Sequence, residues 1–337
     1  MRGPSPFYAC LFAFSAFSFI FYIFVLFIIA KNRKIAPFNS SFFTLTLSLG
    51  IIDCIVIINS YATVKFAGWG WIPDFYLSTN NANGSTFREI MAANGSSRLA
   101  LVSQVLAWGP AAAQYVSVLL TAINRLTAVY TPLRHETIWA KWLTPALVIQ
   151  YCYSIITIIP MFTTNFSYFY PNVSGVIKDV LAVDFNDQTY RAAYYSYSSV
   201  WSVLIIVSVS TLYGFTFVKA FKNSRSVQGN GSTENQNQKN FSLEVRLAIY
   251  GCVCFITLIL YNVFLVLMLF RFSSLANPAW NVASDLLAVQ SPYFLLAFSS
   301  TTREIVFKAI GWKKKVTPVS SIVLTQNAAG NSTRRPN

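Results

Sequence analysis

The stretch FYACLFAFSAFSFIFYIFVLFIIA, residues 7–30, runs for 24 residues without one charged side chain. A helix needs about 20 mostly apolar residues to cross the hydrocarbon core of a bilayer, at a rise of about 1.5 Å per residue. A cleaved secretory leader is the competing reading. Its apolar core usually spans about 7–15 residues and ends at a small-residue cleavage site. This run is longer and no such site follows, so it reads as an uncleaved first span. The remainder of the chain agrees. Its 337 residues are 55% hydrophobic and only 11% charged, with a mean hydropathy of +0.50, where a soluble domain carries about 25% charged residues. Six more apolar runs follow, at roughly 40–64, 99–123, 143–164, 192–218, 247–270 and 280–300. All exceed the roughly 9–11 residues of a membrane-barrel strand. The expected fold is an all-α, seven-transmembrane helix bundle.

Charge sets the expected orientation, because short cytosolic segments collect Lys and Arg. With the N-terminus outside, 18 of the 25 basic residues fall in inner segments and seven in outer ones. The N-terminus is therefore expected outside and the C-terminus in the cytosol. The net charge of +14 does not point to nucleic acid, since the charges lie in short segments between apolar runs rather than on one face. Asn83, Asn94, Asn165 and Asn172 begin N-x-S sequons on the expected outer side, and become glycan acceptors if that orientation is right. Four similar tripeptides on the other side make them no test of it. Residues 223–240 read as a flexible polar loop and 316–337 as a disordered cytosolic tail. Between the last span and the tail, 301–315 places Ile305, Val306, Ala309, Ile310 and Trp312 on one helical face and basic residues elsewhere. That pattern suits a basic helix on the inner leaflet, with membrane lipid as its partner. The first outer loop holds Trp69 and Trp71, read as anchors at the outer interface, with a cap over a ligand site as the alternative.

Enzyme signatures are missing. The chain has one histidine, no P-loop, no GxSxG and no CxxC, so no catalytic residue, metal site or cofactor is expected. Its five cysteines all lie in expected spans, read as small buried packing residues, which leaves no outer disulfide framework. Charge within a span is costly and turns inward, which singles out Asp53. It is read either as part of a polar, hydrated switch between the second and seventh spans, with Ser291 and Pro292, or as a structural interhelical hydrogen bond. Asp285 lies near the outer interface and is expected to be solvated. Gln104, Trp108, Gln114, Tyr261 and Asn262 offer polar or aromatic handles within spans, and nothing in the sequence brings them to one pocket. The ligand is not readable.

Residues 121–139, TAINRLTAVYTPLRHETIW, end the third apolar run in Asn124-Arg125 and add a semi-polar patch through Pro132 and Trp139. Arg125 reads either as a positive-inside anchor or as a coupling residue. This stretch, with SSFFTLTLSLGIIDCIVIINSY and SPYFLLAFSSTTREIVF, resembles nematode serpentine chemoreceptors of the Srg superfamily, in class gamma or the closely related class v. The resemblance covers most of 7–315. It implies a chemosensory G-protein-coupled receptor in the plasma membrane, in sensory cilia of neurons, with an external small molecule and a heterotrimeric G protein as partners. By analogy with the wider receptor family, Arg125 takes the role of the arginine in the acidic-Arg pair, with Pro132–Trp139 as a docking ledge. Asn124 replaces the acidic neighbour, so the ionic restraint is weakened or absent. Ser291-Pro292 stands where Asn-Pro is expected, and Leu295 where tyrosine is expected. The last span has no lysine, which excludes a retinal Schiff base. A seven-span ligand-gated channel of the insect odorant-receptor type is the alternative, disfavoured by charge bias; a small transporter is another, disfavoured by the missing internal repeat.

Overall fold

The computed structural model describes residues 6–34, 38–81, 85–93, 95–170, 172–173, 176–177, 181–227, 234–269 and 276–311. Among them run seven long helices: α1 (Pro6–Lys31), α2 (Ser41–Gly68), α3 (Arg98–Tyr130), α4 (Pro132–Ile158), α5 (Gln188–Val227), α6 (Glu234–Leu269) and α7 (Ala276–Phe298). The short α8 (Ser300–Ala309) follows. Apolar runs become helices because lipid offers the backbone no hydrogen-bond partner, and a helix satisfies its own. Helices α1 to α5 are each long and apolar enough to cross a bilayer; α6 carries its apolar stretch at Gly251–Leu267. The outward face of α1 presents Phe17, Ile20 and Phe27, 62–69% exposed, which suits lipid and not water. The central helix is α3, packed on α2, α4, α5 and α6, while α1 sits between α2 and α7.

Several helices outrun their expected spans. Helix α3 continues through Asn124 and Arg125 to Tyr130, Thr131 breaks it at φ −132° and ψ 57°, and Pro132 opens α4. Proline suits a first helical position, where its missing N–H is not needed. The segment expected to connect these two spans is therefore almost wholly helical. Likewise α5 runs to Val227 and α6 starts at Glu234, within the segment read as a flexible loop. An existing helix extends cheaply, adding one hydrogen bond per residue fixed, so it need not stop where hydropathy does.

The all-α class holds, and the α4–α5 connection adds four short strands to it. There β1 (Phe166–Phe169) pairs antiparallel with β4 (Ala182–Phe185), and β2 (Asn172–Val173) with β3 (Val176–Ile177). Strands this short carry too little periodicity to be read from sequence. With the short helices Pro73–Ser78 and Phe87–Ala92 they form a cap at one end of the bundle, the loop-rich end. Its core is aromatic, built on Tyr76, Phe166, Tyr168 and Phe185. Asn80 acts as a surrogate strand: its side chain donates to the Tyr168 carbonyl (2.8 Å) and accepts from the Tyr168 N–H (3.2 Å). Thr86 and Glu89 form a capping box, and the Ser85 and Thr86 N–H groups hold the Glu89 carboxyl below the usual carboxylate range. None of the five cysteines, all within the described residues, forms a disulfide. Cys10 and Cys152 are exposed on the bundle's outside rather than buried in packing.

At the opposite, basic end, α7 turns by 101° into α8. Ser299 caps α8 by accepting from the Thr302 N–H (3.2 Å). The expected apolar face divides: Ile305 and Val306 pack on Phe42, Phe43 and Leu295, while Ile310 stays 57% exposed. Trp312 to Lys315 and the tail lie outside the described residues.

Candidate functional site

A cavity of about 330 Å³ opens at the loop-rich end between α2, α3, α5, α6 and α7, with β4 across it. Lys65, Trp69, Gln104, Trp108, Tyr261 and Trp280 are among its walls. A smaller cleft of about 50 Å³, lined by Tyr115, Tyr153, Trp201 and Asn262, shares Trp108, Ala111, Tyr195, Tyr261 and Leu265 with it. Four of the five handles picked from sequence thus meet at this end. Gln104 and Trp108 come from successive turns of α3, and the Trp108 indole donates to the Gln104 carbonyl oxygen (2.9 Å). Asn262 accepts from the Tyr115 hydroxyl (2.5 Å). Gln114 goes elsewhere, to Asp53. Trp69, read as an interface anchor, is instead buried at 7% exposure, stacked on Tyr8 and set in the cavity wall.

The cavity's cationic wall comes from a feature that sequence reading missed. Helix α2 widens into a π-helical segment, Ser60–Lys65, and continues to Gly68. Two carbonyls of that segment are met from the cap: Ala62 accepts from the Tyr76 hydroxyl (2.5 Å) and Thr63 from the Tyr168 hydroxyl (3.2 Å). Such π turns recur at functional sites. Here it carries Lys65, expected in a loop, to a position only 1% exposed. Its ammonium pairs with Asp285 of α7, whose other oxygen accepts from the Tyr61 hydroxyl (2.8 Å). Lys65 also lies 4.5 Å from the Tyr61 ring centre. Asp285 is therefore buried in an ion pair and not solvated, because a cation 220 residues away in sequence reaches it.

Asp53 is 1% exposed, and its two oxygens accept from Tyr22 of α1 (2.7 Å) and Gln114 of α3 (2.6 Å). Ser291 is buried on α7, and among the described residues no hydrogen bond joins it to Asp53. The polar link between the second and seventh helices runs through Lys65, Tyr61 and Asp285. Pro292 lies inside α7, as expected.

At the basic end Arg125 is buried at 3% exposure. Its guanidinium donates to the Asn124 side-chain oxygen (2.6 Å) and lies 4.3 Å from the Phe42 ring centre. Asn124 in turn donates to Ser41 (2.7 Å). The neighbour that cannot form an ion pair still holds the arginine, through a charge-assisted hydrogen bond to its neutral amide oxygen. Trp139 faces inward, donating to Thr127 (2.9 Å) at the α3–α4 corner. What that corner exposes is Leu133, 98% accessible directly after Pro132, and sequence reading did not single it out. Of the sequons, Asn165 is exposed where β1 begins, Asn172 lies in β2, and Asn83 and Asn94 fall outside the described residues.

The family profile described as the serpentine type 7TM GPCR chemoreceptor Srv matches residues 11–312. The chain belongs to the Srv class of serpentine chemoreceptors. Serpentine receptor class V-1 of Caenorhabditis elegans is 25% identical over 300 residues, covering 85% of this chain and 84% of that protein. Of the two classes the sequence resembled, the match is to class v. An Srv protein is a multi-pass membrane receptor of the GPCR-like, seven-transmembrane kind, and the seven long helices agree with that membership.

Proposed function

We propose that this Srv receptor binds an external small molecule in the cavity at the loop-rich end and activates a heterotrimeric G protein at the basic end. The observation that carries this is α3. It lines the cavity with Gln104, Trp108 and Ala111 and, without interruption, reaches Arg125. A ligand acts by differential affinity for two arrangements of the bundle, and a helix shared by both ends is a direct route for the difference. Arg125 and Asn124 are the coupling pair in this reading, Trp139 holds the corner, and Pro132 sets Leu133 outward. Asp53 ties α1, α2 and α3 into one block, against which α7 shifts at Ser291-Pro292.

The same reading places the N-terminus and the cap outside, where the exposed Asn165 is a glycan acceptor, and the C-terminus and α8 at the cytosolic leaflet. A ciliary location in sensory neurons accompanies it. In intact cells a tag at the N-terminus is expected to bind antibody and a C-terminal tag to do so only after permeabilisation. The reverse pattern would favour the channel alternative and end the receptor reading. Ala111 lines both cavities, so Ala111→Phe is expected to raise by more than about tenfold the concentration of agonist needed, at unchanged surface level. An unaltered dose–response would move the ligand out of this cavity.

A further inference from the structure

Resting on the cavity being the ligand site, we propose that it takes a neutral, largely aromatic or apolar molecule with one hydrogen-bond-accepting oxygen, and discriminates against amines and carboxylates. Charge is the first argument. Among the described residues two cations line the cavity, and each already has its anion: Lys65 with Asp285, and Arg191 with Asp184 at 2.9 Å. Asp184 also accepts from the Tyr195 hydroxyl (3.1 Å), and Arg191 lies 5.5 Å from the Tyr195 ring centre. A charged ligand would have to displace one partner and leave the other uncompensated, at full cost in the buried Lys65–Asp285 pair and at a smaller cost in the half-buried Arg191–Asp184 pair. A neutral ligand displaces neither. The walls are the second argument. Trp69, Trp108, Tyr195, Tyr261 and Trp280 present ring surface, which rewards an apolar or aromatic body. The third is the Trp280 indole nitrogen, buried beside the Tyr261 hydroxyl without a well-formed hydrogen bond to it. An indole N–H only donates, and a buried donor held this loosely gains from a better-placed acceptor. A ketone, ester or hydroxyl oxygen supplies it; an ammonium does not.

The test uses full-length receptor in lipid nanodiscs and isothermal titration with three probes on one naphthalene body: acetylnaphthalene, naphthoate and naphthylethylamine. Acetylnaphthalene is expected to bind at least about tenfold more tightly than either charged probe. Asp184→Asn leaves Arg191 without its anion and should turn the preference toward naphthoate, and Arg191→Gln should turn it toward the amine. Trp280→Phe removes the N–H and should cut the advantage of acetylnaphthalene over ethylnaphthalene by about 3- to 10-fold. The inference is overturned if a charged probe binds wild type best, if acetylnaphthalene does not bind, or if the order is the same in both charge variants. Binding is read without a G protein. A correct binding order with no G-protein response would therefore sink the receptor reading alone, and a charged preference with normal signalling would sink this inference alone.

Discussion

Asp285→Asn is expected to destabilise the folded receptor by about 3–5 kcal/mol, and Lys65→Met by a similar amount, because either change strands a charge that the bundle has buried. Both residues are nearly inaccessible, at 3% and 1% exposure, and the Tyr61 hydroxyl and the Asn281 carbonyl complete their shell. The double variant Lys65→Met/Asp285→Leu removes both charges and should regain most of the loss, since apolar replacement of a whole buried pair is often neutral or better. Thermal unfolding in detergent, compared across the two single variants and the double, measures this. Additive losses would mean that the two side chains act independently and that the link between α2 and α7 lies elsewhere. The contrast with Asp53 is instructive. Its hydrogen bonds come from neutral donors, Tyr22 and Gln114. Interhelical side-chain hydrogen bonds in membranes average only about 0.6 kcal/mol. Between the two intramembrane aspartates, Asp285 is therefore the one whose loss the fold should feel more.

Lys65 also shows where sequence reading stops. Seven apolar runs were legible because each must cross lipid, and that demand is local to the run. Where a helix ends is not local. The second run reads as 40–64, with Lys65 counted in the outer segment after it, yet α2 passes through a π-helical segment to Gly68. The reason is a carboxylate on α7, invisible from the neighbourhood of residue 65. Trp69 went wrong for the same cause: once α2 continues, it faces Tyr8 and Tyr61 rather than the interface. The hairpin of β1 and β4 was hidden differently. FSYF and AVDF are too short to show a period, and their pairing depends on the aromatic core they share with Tyr76 and Tyr194. Four cavity residues were legible as polar or aromatic oddities in apolar runs. Their convergence was not, because it follows from the angles at which α3, α5, α6 and α7 pack. The arginine at the end of α3 stood out as a charge, but Leu133, one leucine among many, is singled out only by its exposure.

Leu133→Asp is expected to leave folding and surface delivery intact while lowering agonist-evoked G-protein activation by about 30-fold, the effect of losing a contact worth about 2 kcal/mol at the centre of an interface. Its side chain is 98% exposed, so nothing in the receptor depends on it. A single exposed leucine is ordinary in itself; its place directly after Pro132, at the corner where α3 meets α4, is what makes it the contact to test. Arg125→Ala makes the complementary test from inside the corner. Arg125 is buried on Phe42 and held by Asn124, so it cannot meet a G protein while that arrangement lasts. Its removal should abolish signalling by depriving the active arrangement of its contact, with surface delivery again normal. The two variants separate the roles: Leu133→Asp should weaken G-protein affinity and leave ligand binding in isolated receptor untouched. Arg125→Ala should also shift the bundle's own equilibrium, because the Asn124 carbonyl and the Phe42 ring lose the group that they hold at rest. Full agonist-evoked signalling from both variants would remove the α3–α4 corner from the coupling surface and leave Arg125 as a charge that merely anchors the end of α3.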